Sequence, residues 1–133
     1  MTGESSLDIL LDAIRLQKRQ DLVIIDSVTS FIAHSSPEAV VSFFERTMSY
    51  CSKGMTVALT AHSYAFGEST LVRISSMCDT HLRLSTEHTG ERIVKTLEVA
   101  KVRGAQQNTG NVISFDVDPG LGMRIIPFNK ARA

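Results

Sequence analysis

The sequence predicts an α/β fold in which a mainly parallel sheet, flanked by helices, ends in an antiparallel C-terminal meander. Three observations predict it: two short runs of apolar β-formers, helical periodicity on either side of them, and closely spaced turn signals in the last third. In the first helix Leu7, Leu10, Leu11 and Ile14 recur at helical spacing, with Ser5 or Ser6 as the expected cap. Leu22-Val23-Ile24-Ile25 is a continuous apolar run, the pattern of a strand buried on both faces, and Asp26 ends it. Ser36-Pro37-Glu38 supplies a capping residue, a proline at the first helical position and an acidic first turn. The helix it starts should run to about Lys53, with Gly54 as the left-handed stop. Residues 55–61 read as the next buried strand and 69–77 as a short helix. Strands are then expected over 80–84, 92–102, 111–117 and 123–127. Turn signals at His88-Thr89-Gly90-Glu91, Asn108-Thr109-Gly110 and Asp118-Pro119-Gly120 separate them, so neighbours should be antiparallel.

A chain of 133 residues with 43% hydrophobic and 21% charged residues holds one ordinary domain with a real core, expected over 1–133. Fourteen basic residues balance fourteen acidic ones, so no global field draws it to nucleic acid or to an anionic membrane. Cys51 and Cys78 sit far apart with no CxxC or Cys/His clustering, as expected of reduced thiols in a cytoplasmic protein. No apolar run approaches the roughly 20 residues that span a bilayer. No G-x-S-x-G elbow or activated cysteine points to nucleophilic catalysis, and no catalytic residue is assigned.

An apolar strand ending in Asp26-Ser27 has the form of a Walker B element, whose carboxylate can organise Mg²⁺ through its waters. An aspartate there also simply caps the following turn, and the motif alone does not separate the two. The usual partner, GxxxxGK[ST], does not occur in these 133 residues. Thr60-Ala61-His62 should end the neighbouring strand at the same sheet edge, where Thr60 and His62 can sense a terminal phosphate or serve as structural groups. His34, His81 and His88 lack metal-ligand spacing. Lys101 and Arg103, two apart on one strand face before Gly104, could hold an anion or guard an edge strand.

The order of these motifs resembles the C-terminal portion of the RecA/KaiC superfamily. The tail, Lys101-Val102-Arg103-Gly104-Ala105, then Thr109-Gly110-Asn111, then 115–127, resembles the FlaH (ArlH) family of archaellum accessory ATP-binding proteins more narrowly. That resemblance implies a RecA/KaiC-like fold truncated at its N-terminal P-loop unit, with ATP and Mg²⁺ as ligands of the intact protein. It implies that Asp26 organises Mg²⁺ through water, with Ser27 beside it. By the same resemblance Lys101 and Arg103 reach the nucleotide of the next subunit, and the Asp118-Pro119 turn lies near that neighbour's base. The implied role is regulatory and cytoplasmic, peripheral to the membrane-embedded motor. ATP would favour a hexameric ring of like chains that docks on the archaellum motor ATPase and the membrane platform protein. Two alternatives remain: a KaiC-like or RecA-like ATPase with a signalling or DNA-related role, and a non-catalytic interaction module.

Overall fold

A computed structural model describes residues 3–105 and 111–127 of the chain. Its elements run α1 (Gly3–Leu16), β1 (Leu22–Ile25), α2 (Thr29–Ile32), α3 (Pro37–Cys51), β2 (Thr56–Leu59), a 3-10 turn (Ser63–Ala65), α4 (Glu68–Met77), then β3 (Thr80–Thr89), β4 (Arg92–Val102), β5 (Val112–Asp118) and β6 (Gly122–Ile126). Contacts divide the chain into two compact units, Met1–Cys78 and Asp79–Ala133.

The first unit is built around α3. Ser36 caps it, its hydroxyl accepting from the Ala39 amide at 3.2 Å, and Pro37 opens it. Both features reduce the number of orphan amides at the helix start. Its apolar face buries Val40, Val41, Phe43 and Phe44. Leu7, Leu11 and Ile14 of α1, Val28, Ile32 and Ile74 join Val40, Phe43 and Phe44 in one core. Each such side chain contributes about 1.5–3 kcal/mol through burial. The helix ends at Cys51, slightly before the expected Lys53, and Gly54 turns the chain at φ +102°, where any side chain would be strained. The first helix begins by Gly3, so Ser5 and Ser6 lie inside it and do not cap it.

β1 and β2 pair in parallel, with Leu22 opposite Thr56 and Ile25 opposite Leu59. The expectation that both strands are buried on two faces is not met. Val23, Ile25, Val57 and Leu59 pack on the core, whereas Leu22 and Ile24 are 51% and 66% exposed. Among the described residues no second layer covers that face, and the period of two in a strand sends alternate side chains into solvent. Short helical turns at 29–32 and 63–65 follow the two strands.

In the second unit β3, β4, β5 and β6 form an antiparallel meander in chain order. The parallel and antiparallel strands therefore belong to two separate sheets rather than to one with an antiparallel edge. The β3–β4 register slips between His81 and Leu82, because His81 faces Lys101 while Leu82 faces Val99 and leaves Ala100 as the extra residue. The Asn108-Thr109-Gly110 signal lies outside the described residues; the other two turns form where expected. Among the described residues no helix is long and apolar enough to cross a membrane.

Candidate functional site

Parallel pairing sets the site. Because Ile25 and Leu59 are in register, the residues that leave the two strands, Asp26 and Thr60, come out side by side. The backbone continues the ladder for two more bonds: the Thr60 amide donates to the Ile25 carbonyl at 3.0 Å, and the Val28 amide donates to the Thr60 carbonyl at 3.0 Å. Val28 is fully buried and anchors the turn, so the residues around it are held by the core.

The Thr60 hydroxyl donates to Asp26 Oδ1. The second carboxylate oxygen of Asp26 has no protein partner among the described residues, and Asp26 is exposed. Beyond the Asp26–Ser27 peptide bond, which is cis, the Ser27 hydroxyl donates to Thr29 Oγ1 at 3.2 Å. Thr29 Oγ1 also accepts from the His62 backbone amide at 3.0 Å and lies 3.0 Å from His62 Nδ1. The His62 ring stacks on Tyr64 with centroids 5.3 Å apart and planes 28° from parallel. The structure therefore brings Asp26, Ser27, Thr60 and His62 to one edge of the parallel pair and adds two residues that sequence reasoning missed, Thr29 and Tyr64. Thr29 had a signal, since Ser27 and Thr29 are alternate residues in a hydroxyl-rich connection directly after the strand. Tyr64 had none beyond its closeness to His62.

The arrangement suits a hydrated divalent cation better than a bare one. Among the described residues no three His, Cys, Asp or Glu side chains gather as a metal cage. A single exposed carboxylate with an unused oxygen fits the preference of Mg²⁺ for one or two carboxylates plus water and phosphate. Asp26 would hold such an ion through water, and the Thr60 hydroxyl fixes the carboxylate's rotation.

The remaining candidates belong to the second unit. Lys101 lies on β4 opposite His81. β4 ends at Val102, and Arg103 follows it in the turn that contains Gly104 at φ +78°. The Arg103 amide donates to the Asp79 carbonyl at 2.7 Å, one bond beyond the last β3–β4 pair, and the Arg103 Nε lies 2.9 Å from the Asp79 carboxylate. Asp118 Oδ1 accepts from the amides of Gly120 and Leu121 at 2.8 and 3.0 Å and so builds the β5–β6 turn. With Lys95 opposite Phe115, Asp118 falls toward the Arg92 end of β4 and Lys101 toward the other. At about 3.3 Å per strand residue the two are on the order of 30 Å apart. His81 titrates below its ordinary range because burial disfavours its charged form; Arg83 adds to that effect and Glu98 opposes it.

A family model described as the KaiC ATPase matches residues 3–130. The archaeal flagellar ATP-binding protein FlaH of Sulfolobus acidocaldarius is 34% identical over 131 residues, which are 98% of this chain and 57% of that protein. Among solved structures, the flagellar accessory protein FlaH from Methanocaldococcus jannaschii superposes with a TM-score of 0.66 at 21% identity, over 92% of this chain and 54% of that one. A KaiC-like protein from Pyrococcus horikoshii OT3 superposes with a TM-score of 0.63 at 13% identity, over 94% and 54%. The chain thus spans little more than half the length of these relatives, and the two structural likenesses show the RecA/KaiC-like fold.

Proposed function

Because the chain belongs to the KaiC family of ATPases, we propose that it forms the magnesium-organising, nucleotide-responsive portion of an archaellum accessory ATP-binding protein. The observation that carries this reading is the Thr60 hydroxyl bound to the Asp26 carboxylate where two adjacent parallel strands end. Ligands of open α/β sheets bind outside the carboxyl ends of the strands, which is where this carboxylate lies. The similarity to the Sulfolobus FlaH supports the archaellum assignment.

In this reading Mg²⁺, when bound with ATP, neutralises phosphate charge, and Asp26 orients its water shell from one side. Ser27 and His62 line the same edge and face the terminal phosphate. ATP acts as a conformational ligand that favours a hexameric ring, because a ligand shifts an equilibrium only by its differential affinity for the two states. Lys101 and Arg103 are the contacts to the next subunit's nucleotide, and Asp118 meets that neighbour at a separate place. The ring docks on the motor ATPase and the membrane platform protein, which sets the chain at the cytoplasmic side of the membrane. No nucleic-acid partner is proposed.

Phosphate affinity is expected to be weak, since no GxxxxGK[ST] loop occurs in these 133 residues. A dissociation constant in the millimolar range corresponds to only about −4 kcal/mol. The test uses ¹⁵N-labelled chain with ATP and Mn²⁺ in place of Mg²⁺, because paramagnetic broadening reports weak binding. The amides of Ser27, Thr60 and Ala61 should broaden first, and Asp26→Asn should remove the effect while leaving the spectrum of α3 in place. Broadening that ignores the substitution, or that falls elsewhere, would return Asp26 to a turn-capping role. A second reading is that the chain is a non-catalytic interaction module. No response to nucleotide at any amide would select it.

A further inference from the structure

Thr29 is the hub of the site's hydrogen bonds, and counting its hydrogens assigns a role to His62. A hydroxyl carries one hydrogen and two lone pairs. At Thr29 Oγ1 the lone pairs are taken by the Ser27 hydroxyl at 3.2 Å and by the His62 backbone amide at 3.0 Å. The one hydrogen of Thr29 is left to point at His62 Nδ1, 3.0 Å away. With Thr29 as the donor, Nδ1 is the acceptor, which places the ring hydrogen on Nε2. A hydrogen on Nδ1 would be the third directed at an oxygen that can receive two. Nε2 has no partner among the described residues, and His62 is exposed at the sheet edge that carries Asp26.

We infer that Thr29 is a positioning residue which locks His62 in the Nε2–H tautomer and so presents an N–H donor to a phosphoryl oxygen of a bound nucleotide. Two features make the lock geometric rather than incidental. Thr29 follows Val28, which is fully buried, and Ile32 of the same turn is 3% exposed, so the hydroxyl is fixed by core packing. The same hydroxyl grips His62 twice, at its backbone amide and at its ring, which fixes the ring's rotation as well as its proton. Second partners of this kind set imidazole tautomers at many functional sites. The Tyr64 ring stacked on one face restrains the imidazole further. A neutral donor suits a phosphate that already has a cation beside it, because it adds direction without a second charge. The phosphate half of the inference rests on the nucleotide reading given above; the tautomer half does not.

The experiment separates the two halves. In ¹⁵N-histidine-labelled chain the two ring nitrogens of His62 report the tautomer directly. In the wild type they should be fully split, Nδ1 as a bare acceptor and Nε2 bearing the hydrogen. Thr29→Val should collapse that split toward the average of the two tautomers and weaken ATP-Mg²⁺ binding roughly threefold to tenfold, the range of one lost hydrogen bond. Thr29→Ser, which restores the hydroxyl, should recover both, and the amide spectrum of α3 shows whether each variant is folded. The inference is overturned if wild-type Nδ1 carries the hydrogen, the arrangement in which Thr29 donates to Ser27 instead. It is equally overturned if Thr29→Val leaves the nitrogens unchanged. If the tautomer is locked but ATP-Mg²⁺ moves the amides around Asp26 without moving Nε2, the assigned ligand of His62 is wrong. If ATP-Mg²⁺ moves nothing, the nucleotide reading fails and takes the phosphate half with it, while the role of Thr29 stands on the nitrogen shifts.

Discussion

Arg103 and Asp79 are joined twice, by a backbone hydrogen bond of 2.7 Å and by an ion pair of 2.9 Å, so one residue both extends the β3–β4 pairing past Val102 and neutralises the cation there. The family resemblance assigns that cation to a neighbouring subunit's nucleotide, and the two roles compete for the same guanidinium. Both side chains are more than 60% exposed, so the pair is cheap to open: exposed ion pairs contribute about 0–1 kcal/mol.

Arg103→Ala is therefore expected to lower stability by no more than about 1 kcal/mol, and by less in high salt, since the backbone bond to Asp79 survives the substitution. Urea midpoints at low and high salt measure it. In a chimera that joins this chain to the portion of the Sulfolobus FlaH that it does not span, replacing Lys101 and Arg103 together by Ala should abolish ATP-dependent assembly. Light scattering with the same ATP dependence in both proteins would leave Arg103 as the partner of Asp79 and nothing more.

Phe43 is the largest side chain in the first unit that is wholly enclosed, and it meets Phe44 edge-to-face at 5.4 Å. Phe43→Ala is expected to cost about 3–5 kcal/mol, because α3 is held from both sides and cannot collapse into the space. Against a total stability of about 5–15 kcal/mol, this is enough to populate the unfolded state at modest temperature. Equilibrium unfolding followed by far-ultraviolet circular dichroism checks it, and a loss below about 1 kcal/mol would mean that the core is more fluid than described.

His81 supplies a pH dependence whose sign follows from its lowered titration. An unfolded histidine takes up its proton near pH 6.5. The folded chain resists doing so, because burial and Arg83 disfavour the cation more than Glu98 favours it. The unfolded state thus binds more protons just below about pH 6.5, and stability falls there as pH falls, levelling off below the folded value. His81→Gln should flatten this part of the profile. Melting curves at about pH 7.5 and about pH 5.5 would contradict it if the variant tracked the wild type at both.

Local signals carried most of the fold into the sequence. Ser36-Pro37 and Gly54 bound α3 because capping and left-handed turns depend on one or two residues. What stayed illegible depends on partners distant in sequence. The run Leu22–Ile25 is as apolar as a two-faced strand, and nothing in four residues tells which faces are covered. The register slip at Ala100 is settled by His81 and Leu82 of β3, and the capture of Arg103 is settled by Asp79, which precedes that strand. At the site, Asp26, Thr60 and His62 could be read as strand-end residues, whereas the importance of Thr29 comes from a hydrogen bond spanning 33 positions.

The half-covered β1–β2 pair also governs how this chain behaves at high concentration. Leu22 and Ile24 sit on a strand that pairs only with β2 among the described residues, and an open strand edge is a template for strand addition by another molecule. The sequence isoelectric point, about 6.9, leaves almost no net charge to keep molecules apart near neutral pH. Colloidal stability should therefore be poorest where the charges cancel, although His81 favours the folded state there, so the buffer that best preserves the fold is not the one that best preserves a clear solution.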